Sequence, residues 1–194
     1  AHDGFLETSF GRIRIDSVCL EEDAARIIEK DEKKAVYRLD RLGIPLIEIA
    51  TAPDITKPEQ VKEAALKIGE ILRACKVKRG IGTIRQDINM SIKGHERVEI
   101  KGFQDPAMMI ITVNKEIERQ SNDIKNRKKE GEVRGALENG GTEFLRPLPS
   151  GARMYPETDL PLLKIGRDKL NEIKKNLPKL KNEIKSELKK KGLT

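Results

Sequence analysis

The chain has 194 residues, enough for one or two domains with a buried core. Lysine and arginine number 39 against 32 aspartate and glutamate, a net charge of +7, and charged and apolar residues each make up 37%. Charges of both signs among periodic apolar residues exclude a disordered chain. Two cysteines are too few for a disulfide framework. No apolar run reaches the roughly 18 residues of a membrane span. We therefore expect a soluble, cytoplasmic protein.

The first sixty residues predict a mixture of strands and helices. Alternating residues at 10–15 predict a strand. Residues 16–30 predict a turn followed by a helix, with the acidic residues 21–23 in its first turn, where the helix dipole favours them. The apolar, β-branched segment 44–49 predicts a buried strand.

The middle of the chain predicts a helix, a hairpin and a second helix. A capping-box pattern at Thr56 and Glu59 precedes an apolar helical stripe that ends near Cys75. Residues 83–103 alternate as two strands around a turn, and the Asp-Pro pair at 105–106 starts the next helix.

The pattern predicts four segments along the chain. Residues 1–120 form an α+β domain, and residues 121–141, polar and rich in glycine, form a linker or the site of a missing insertion. Residues 142–163 close the first domain. Residues 164–194 begin an all-α domain with a break at Pro178.

One face of the strand predicted at 83–93 carries short polar and charged side chains, which are Arg85, Asp87, Asn89 and Ser91. Asp and Asn are depleted in strands, so this pattern indicates fixed polar groups that line a cavity. Glu99 and Lys101 on the neighbouring strand extend the same face, since cross-strand neighbours lie about 5 Å apart. An ordinary solvated sheet face is the alternative.

Acidic residues elsewhere indicate a second polar element. Glu48 interrupts an apolar strand, where a buried carboxylate needs a cation or a hydrogen-bond network, unless that face is exposed. The acidic triplet at 21–23 is also explained by the helix dipole alone. Oxygen ligands without a His or Cys cluster suit Mg²⁺ rather than Zn²⁺.

The C-terminal third combines a short acidic loop with a basic tail. The loop MYPETD at 154–159 follows Arg146 and Arg153. The lysine-rich tail predicts either a solvated helix face or a nucleic-acid surface. No phosphate-binding loop, dinucleotide-binding motif or Ser-His-Asp pattern is present in the sequence.

Taken together, several ordered segments resemble the GatB/GatE family of tRNA-dependent amidotransferase subunits, its archaeal branch more than its bacterial one. The matching segments are FLETSFGRIRI (5–15), CLEEDAARII (19–28), RLGIPLIEIATAPDI (41–55), GTIRQDINMSIKG (82–94), VEIKGFQD (98–105), RPLP (146–149) and GARMYPETD (151–159). The resemblance is highly specific because these motifs follow one another over nearly the whole chain.

The resemblance implies an ATP-dependent ligase that phosphorylates the γ-carboxylate of glutamate carried on tRNA(Gln). Ammonia from a partner amidase, the D subunit of the archaeal form, then displaces phosphate and gives Gln-tRNA(Gln) within a heterotetramer. Such phosphoryl transfer depends on positioning and on cations near the phosphate oxygens. The implied fold is α+β, an antiparallel-sheet cradle similar to the catalytic fold of glutamine synthetase, followed by an all-α helical segment.

The resemblance also implies roles for individual residues. The implied catalytic residues are Glu48, Arg85, Asp87 and Lys101. Those implied to bind ATP are Arg85, Asn89, Ser91, Glu99, Arg146 and Arg153. Glu22 and Glu48 are the implied Mg²⁺ ligands, and we expect them to converge in one hollow with a nearby guanidinium.

Two other functions stay open at this point. The chain could be a non-catalytic tRNA-binding or assembly module that uses its basic helices, or a glutamine-synthetase-like ligase that acts on a free amino acid. The family's metal site also uses a histidine and an acidic residue from an N-terminal segment that this sequence lacks. We therefore expect a fragment that is inactive alone.

Overall fold

The computed structural model describes residues 4–80, 82–103, 105–148, 161 and 163–193. The chain divides into two compact units, one ending at Gln60 and the other beginning at Val61. Both helices and strands are present, so the α+β class predicted from the sequence is confirmed.

The first unit consists of β-strands. They are β1 (Phe5–Thr8), β2 (Gly11–Glu22), β3 (Arg26–Lys30), β4 (Ala35–Arg38) and β5 (Pro45–Thr51). The long strand β2 pairs antiparallel with β1 along its first part and with β5 along the rest, while β3 and β4 form a separate antiparallel ribbon. Strands are present at both predicted segments, 10–15 and 44–49, but the burial predicted for 44–49 is wrong: no residue of β5 is buried, and Ile47 is 52% exposed.

The helix predicted at 16–30 is wrong, because this segment forms the second half of β2 and all of β3. Exposed and less exposed residues alternate through β2, with Ile13 fully buried, and this two-residue period suits a strand. After β2, Asp23 is fixed by its backbone bonds to Ile44 and Gly43 and by an ion pair with Arg41 (2.6 Å). The acidic residues therefore end a strand rather than begin a helix.

The second unit combines helices with a four-stranded sheet. In chain order its elements are α1 (Pro58–Ala74, which starts just before the boundary), β6 (Ile88–Met90), β7 (Val98–Lys101), α2 (Pro106–Lys125), β8 (Glu132–Ala136), β9 (Thr142–Pro147), α3 (Arg167–Lys175) and α4 (Lys181–Lys190). The strand predicted at 83–93 is regular only over the three residues of β6.

The two long helices begin as their sequences predict, with one change of capping residue. Helix α1 has Pro58 in its first turn, but the Gln60 side chain, not Glu59, accepts the backbone N–H groups of Thr56 and Lys57. At the start of α2, the Asp105 carboxylate accepts the N–H of Ala107 (2.8 Å).

The sheet has the order β6-β7-β8-β9. Two antiparallel hairpins, β6–β7 and β8–β9, are joined by a parallel pairing of β7 with β8, and α2 makes the connection. The sheet is therefore not purely antiparallel as expected. Its core consists of Ile88, Val98, Ile100, Met109 and Val113, which bury one face of the sheet against α2.

The linker predicted at 121–141 is mostly regular structure. Helix α2 extends to Lys125 and β8 begins at Glu132, so only residues 126–131 connect them. The sequence suggested a linker because the segment is polar and rich in glycine. An insertion point within residues 126–131 stays a prediction.

Helices α3 and α4 are separated at Pro178, as the sequence predicts, and none of their residues is buried. Among the described residues, no helix combines the length and the apolar character needed to cross a bilayer.

Candidate active site

The polar face predicted from the sequence lies on the four-stranded sheet of the second unit. Asn89 pairs with Glu99, whereas Ile88 pairs with Ile100, so the polar and apolar side chains point to opposite faces. Ile88 and Ile100 enter the core beneath α2. The structure thus brings the predicted polar residues of β6 and β7 together on the other face.

Lys101 is the centre of this face. Its ammonium Nζ lies 2.7 Å from Asp87 Oδ2 and 2.8 Å from Glu99 Oε1. We call these three residues the Lys101 cluster. Glu99 is only 5% exposed, and a buried carboxylate is costly unless a cation pairs with it. The cluster is therefore a fixed arrangement of charges and not an ordinary solvated sheet face.

Asn89 and Arg146 share the face of the Lys101 cluster. Asn89 is exposed beside Glu99. Glu99 pairs with Val133, and Val133 pairs with Arg146, so Arg146 lies two strands away on the same face. Neighbouring strands are about 4.8 Å apart, which puts the Arg146 backbone about 10 Å from that of Glu99. The sheet register therefore groups residues far apart in sequence.

The other predicted residues of this face are placed less closely. Arg85 is exposed and precedes β6, and Ser91 is exposed just after β6 ends. Arg153 and the MYPETD loop lie outside the described residues. The register of β6 and β7 therefore does not assign Arg85 or Ser91 to the face of the Lys101 cluster.

Glu22 and Glu48 do not converge as predicted. Both belong to the first unit, where Glu22 pairs with Pro45 and Glu48 pairs with Cys19. Because Cys19 and Glu22 are three residues apart on one strand, their side chains point to opposite faces of the β2–β5 pair. Glu21 instead shares the face of Glu48. Sequence alone could not choose between the two adjacent glutamates while residues 16–30 were predicted to be helical.

The predicted Mg²⁺ ligands do not fit a shared metal site. Glu22 and Glu48 occupy opposite faces, and both carboxylates of the Lys101 cluster bind an ammonium group. Across the described ranges, no three Asp, Glu, His or Cys side chains come together as a metal site would require.

Behind the sheet lies a buried ionic network that the sequence analysis missed. Its centre is Glu116 of α2, whose side chain is 0% exposed. The carboxylate accepts hydrogen bonds from Arg119 (2.7–3.0 Å), from Gln120 Nε2 (3.0 Å) and from Thr142 Oγ1 of β9 (3.1 Å). We call these residues, together with Glu132 and Arg134 of β8, the Glu116 network.

The Glu116 network contacts the sheet at both ends. Arg134 of β8 donates to Glu132 (2.6 Å) and to the Thr142 hydroxyl (2.7 Å). At the turn after β6, Gln120 accepts the N–H of Ile92 (3.0 Å). Helix α2 is therefore bonded to three segments of the sheet through polar groups as well as through the apolar core.

These contacts hold Glu116 in its charged form. Burial raises the pKa of the Glu116 carboxyl, but hydrogen bonds from Arg119 and Gln120 outweigh it, so that this pKa lies below its ordinary value. One sequence signal could have revealed the network. Glu116 and Gln120 follow Met109 and Val113 at helical spacing, so they continue the stripe that faces the core.

Comparison with known proteins shows the family to which this chain belongs. The chain belongs to the GatB/GatE catalytic domain family, because the model of that family matches residues 1–171. This confirms the resemblance found in the sequence motifs.

Individual relatives are named as the E subunit of glutamyl-tRNA(Gln) amidotransferase. The chain is 51% identical over 161 residues to the relative from Pyrococcus horikoshii and 58% identical over 161 residues to that from Thermococcus gammatolerans. Each of these alignments covers 82% of this chain and 24% of the relative. The chain therefore spans about a quarter of the length of these relatives.

A third relative carries the same name in Methanothermobacter thermautotrophicus and is 31% identical over 318 aligned positions. The alignment covers 97% of this chain and 51% of the relative. Since the chain has only 194 residues, more than a hundred aligned positions of the relative have no counterpart here.

Proposed function

We propose that this chain carries the amide-forming site of a tRNA-dependent amidotransferase, which converts glutamate on tRNA(Gln) to glutamine. The Lys101 cluster is the observation that carries the proposal, because it fixes one ammonium between two carboxylates on a sheet face where Asn89 and Arg146 are exposed. Membership of the GatB/GatE catalytic domain family supports it.

The reaction that we propose has two steps. An oxygen of the glutamate γ-carboxylate attacks the γ-phosphorus of ATP, the bond to the bridging oxygen breaks, and ADP leaves. Ammonia then attacks the carbonyl carbon of the acyl phosphate, the bond to the phosphate oxygen breaks, inorganic phosphate leaves, and the nitrogen loses a proton. We propose that ammonia comes from a partner amidase, the D subunit of a heterotetramer.

The Lys101 ammonium would stabilise negative charge on the phosphoryl oxygens. Phosphoryl transfer needs mainly positioning and charge stabilisation, and a preorganised cation provides both. Asp87 and Glu99 would orient this ammonium. Asn89 and Arg146, on the same face, would bind further oxygen atoms of ATP or of the glutamate.

Roles for the remaining predicted residues follow from the family alone. We propose that Arg85, Ser91 and Arg153 bind the nucleotide and that Glu48 acts in catalysis. We also propose that the sheet corresponds to the floor of a cradle like that of glutamine synthetase. A catalytic role of Glu48 would place the reaction at the face of the β2–β5 pair that Glu48 shares with Glu21 and not with Glu22.

The test uses the full-length protein with its amidase partner, labelled ATP and Glu-tRNA(Gln). We expect phosphate release only when the charged tRNA is present. Lys101→Ala should lower the rate about 10²–10³-fold, as for other groups that stabilise transition-state charge. The matched control is Lys93→Ala, an exposed lysine in the turn between β6 and β7, which should retain the wild-type rate.

Each other outcome contradicts a defined part of the proposal. Phosphate release with free glutamate would indicate a glutamine-synthetase-like ligase. Binding of tRNA without ATP turnover would indicate a non-catalytic RNA-binding or assembly module. Full activity of Lys101→Ala would show that the Lys101 cluster is not the active site.

A further inference from the structure

A cluster of cations lies where helix α1 ends. Arg73, Lys76, Lys78 and Arg79 are exposed, and no acidic residue interrupts the segment from 73 to 79. We call these four residues the α1-end cluster. The dipole of α1 favours a cation in its last turn, which accounts for Arg73. It does not account for the three cations that follow the end of the helix.

The cations of the α1-end cluster differ from the ion-paired cations of the same unit. Lys67, Lys101, Arg119 and Arg134 each form an ion pair with a carboxylate. Across the described part of the chain, the ion pairs include no member of the α1-end cluster. Four cations without carboxylate partners repel one another, and a bound polyanion would remove that repulsion.

Two of the guanidinium groups are ordered by contacts with the helix. Arg79 Nη2 donates to the backbone carbonyl of Arg73 (2.8 Å) at the end of α1. The Arg73 side chain lies over Gly69, where a Cβ atom would come within 3.0 Å of Arg73 Nη1. The hydrogen bond from Arg79 therefore holds one guanidinium of the cluster beside the C-terminal end of α1.

We propose that the α1-end cluster binds the phosphate backbone of RNA. All four cations are exposed, whereas a nucleotide site is a cleft that buries most of its ligand. An exposed row of unpaired lysine and arginine is the electrostatic pattern of a protein that contacts nucleic-acid phosphates. The partner is therefore an extended polyanion rather than ATP.

The position of the cluster links it to the proposed active site. Arg79 precedes Arg85 by six residues, and six extended residues span no more than about 20 Å. Arg79, the last member of the α1-end cluster, thus lies within about 20 Å of Arg85, which leads into β6. Resting on the proposed function, the RNA bound there is the tRNA whose glutamate reaches the sheet face.

The test compares two double variants of the 194-residue chain. Lys76→Gln combined with Lys78→Gln removes two charges from the α1-end cluster. Lys62→Gln combined with Lys67→Gln removes two charges from the body of the same helix. Binding of tRNA(Gln) is measured by fluorescence anisotropy from 50 to 300 mM salt, and the thermal midpoint by circular dichroism verifies that both variants fold.

We expect the cluster variant to lose about tenfold in affinity near 100 mM salt and its log–log salt slope to become shallower by about 1–2. The control variant should stay within about twofold of wild type. Equal effects of the two variants would overturn the proposal. A loss of ATP binding with unchanged tRNA binding would also overturn it, since the cluster would then belong to a nucleotide site.

Failure of this inference and failure of the proposed function are distinguishable. If the cluster variant binds tRNA like wild type while the full-length protein releases phosphate with Glu-tRNA(Gln), only the surface is wrongly assigned. If wild type releases no phosphate but the cluster variant still lowers tRNA affinity selectively, the RNA surface stands and the amide-forming role falls.

Discussion

Replacing Glu116 by glutamine tests whether the buried ionic network stabilises the second unit. The substitution preserves side-chain volume, so it creates no cavity, but it removes the charge and directs an amide NH₂ towards donors. The affected donors are Arg119, Gln120 and Thr142, which lie within 2.7–3.1 Å of the carboxylate.

The expected loss follows from the burial of this carboxylate. Removing one partner of a buried ion pair costs about 3–5 kcal/mol. Arg119 keeps its pairs with Asp123 and Glu132, and Arg134 keeps its pair with Glu132. We therefore expect the lower end, about 3 kcal/mol, which corresponds to roughly 10 °C in the midpoint of a unit of this size.

The assay is urea unfolding followed by circular dichroism, with Glu118→Gln as the control. Glu118 is exposed on the same helix, so its substitution should change the free energy of unfolding by less than about 0.5 kcal/mol. Equal losses in the two variants would refute the stabilising role of the Glu116 network.

The pH dependence gives a second readout for Glu116. Its pKa in the folded protein lies below the ordinary value, so its contribution is fully present above that ordinary value. As the pH falls through the lowered pKa, wild type loses the charge as well. The stability difference between wild type and Glu116→Gln should therefore shrink in acid, and a constant difference would contradict the assignment.

Two further predictions concern other parts of the fold. The Arg14 guanidinium lowers the pKa of the Asp54 carboxyl to about 2. The contribution of this ion pair to stability should therefore be lost as the pH falls from about 4 to 2. The thermal midpoints of wild type and Asp54→Asn should converge over that range, and parallel curves would contradict this prediction. Met109→Ala should lower the free energy of urea unfolding by about 2–5 kcal/mol, because Met109 is 1% exposed. The control Ile111→Ala should lower it by less than about 1 kcal/mol, because Ile111 is 45% exposed. Similar losses in the two variants would contradict the assigned core.

Local patterns in the sequence were sufficient to place Asn89 and Glu99 on the same face of the sheet. A two-residue period places Asn89 and Glu99 away from the core wherever the strand lies, and the short turn between β6 and β7 makes these strands neighbours. The same reasoning locates the start of α2, because an Asp-Pro pair is a local capping signal.

Long-range pairing limited the prediction elsewhere. Residues 16–30 contain acidic residues that suit a first helical turn, but β2 pairs with β5, more than twenty residues later, and β3 pairs with β4, so both are strands. The register of β2 with β5 also separates Glu22 from Glu48. Similarly, the partners of Glu116 could not be predicted locally, because the sheet brings Thr142 and Arg134 next to α2.

The parallel pairing of β7 with β8 has a consequence for folding. Each hairpin, β6–β7 and β8–β9, can form from neighbouring residues, whereas their junction requires that α2 first complete the crossover. The junction should therefore form late. Extra residues between α2 and β8 would leave each hairpin intact, because they lie outside both. They would delay the joining of the hairpins only slightly, since the entropic cost of loop closure grows slowly with length.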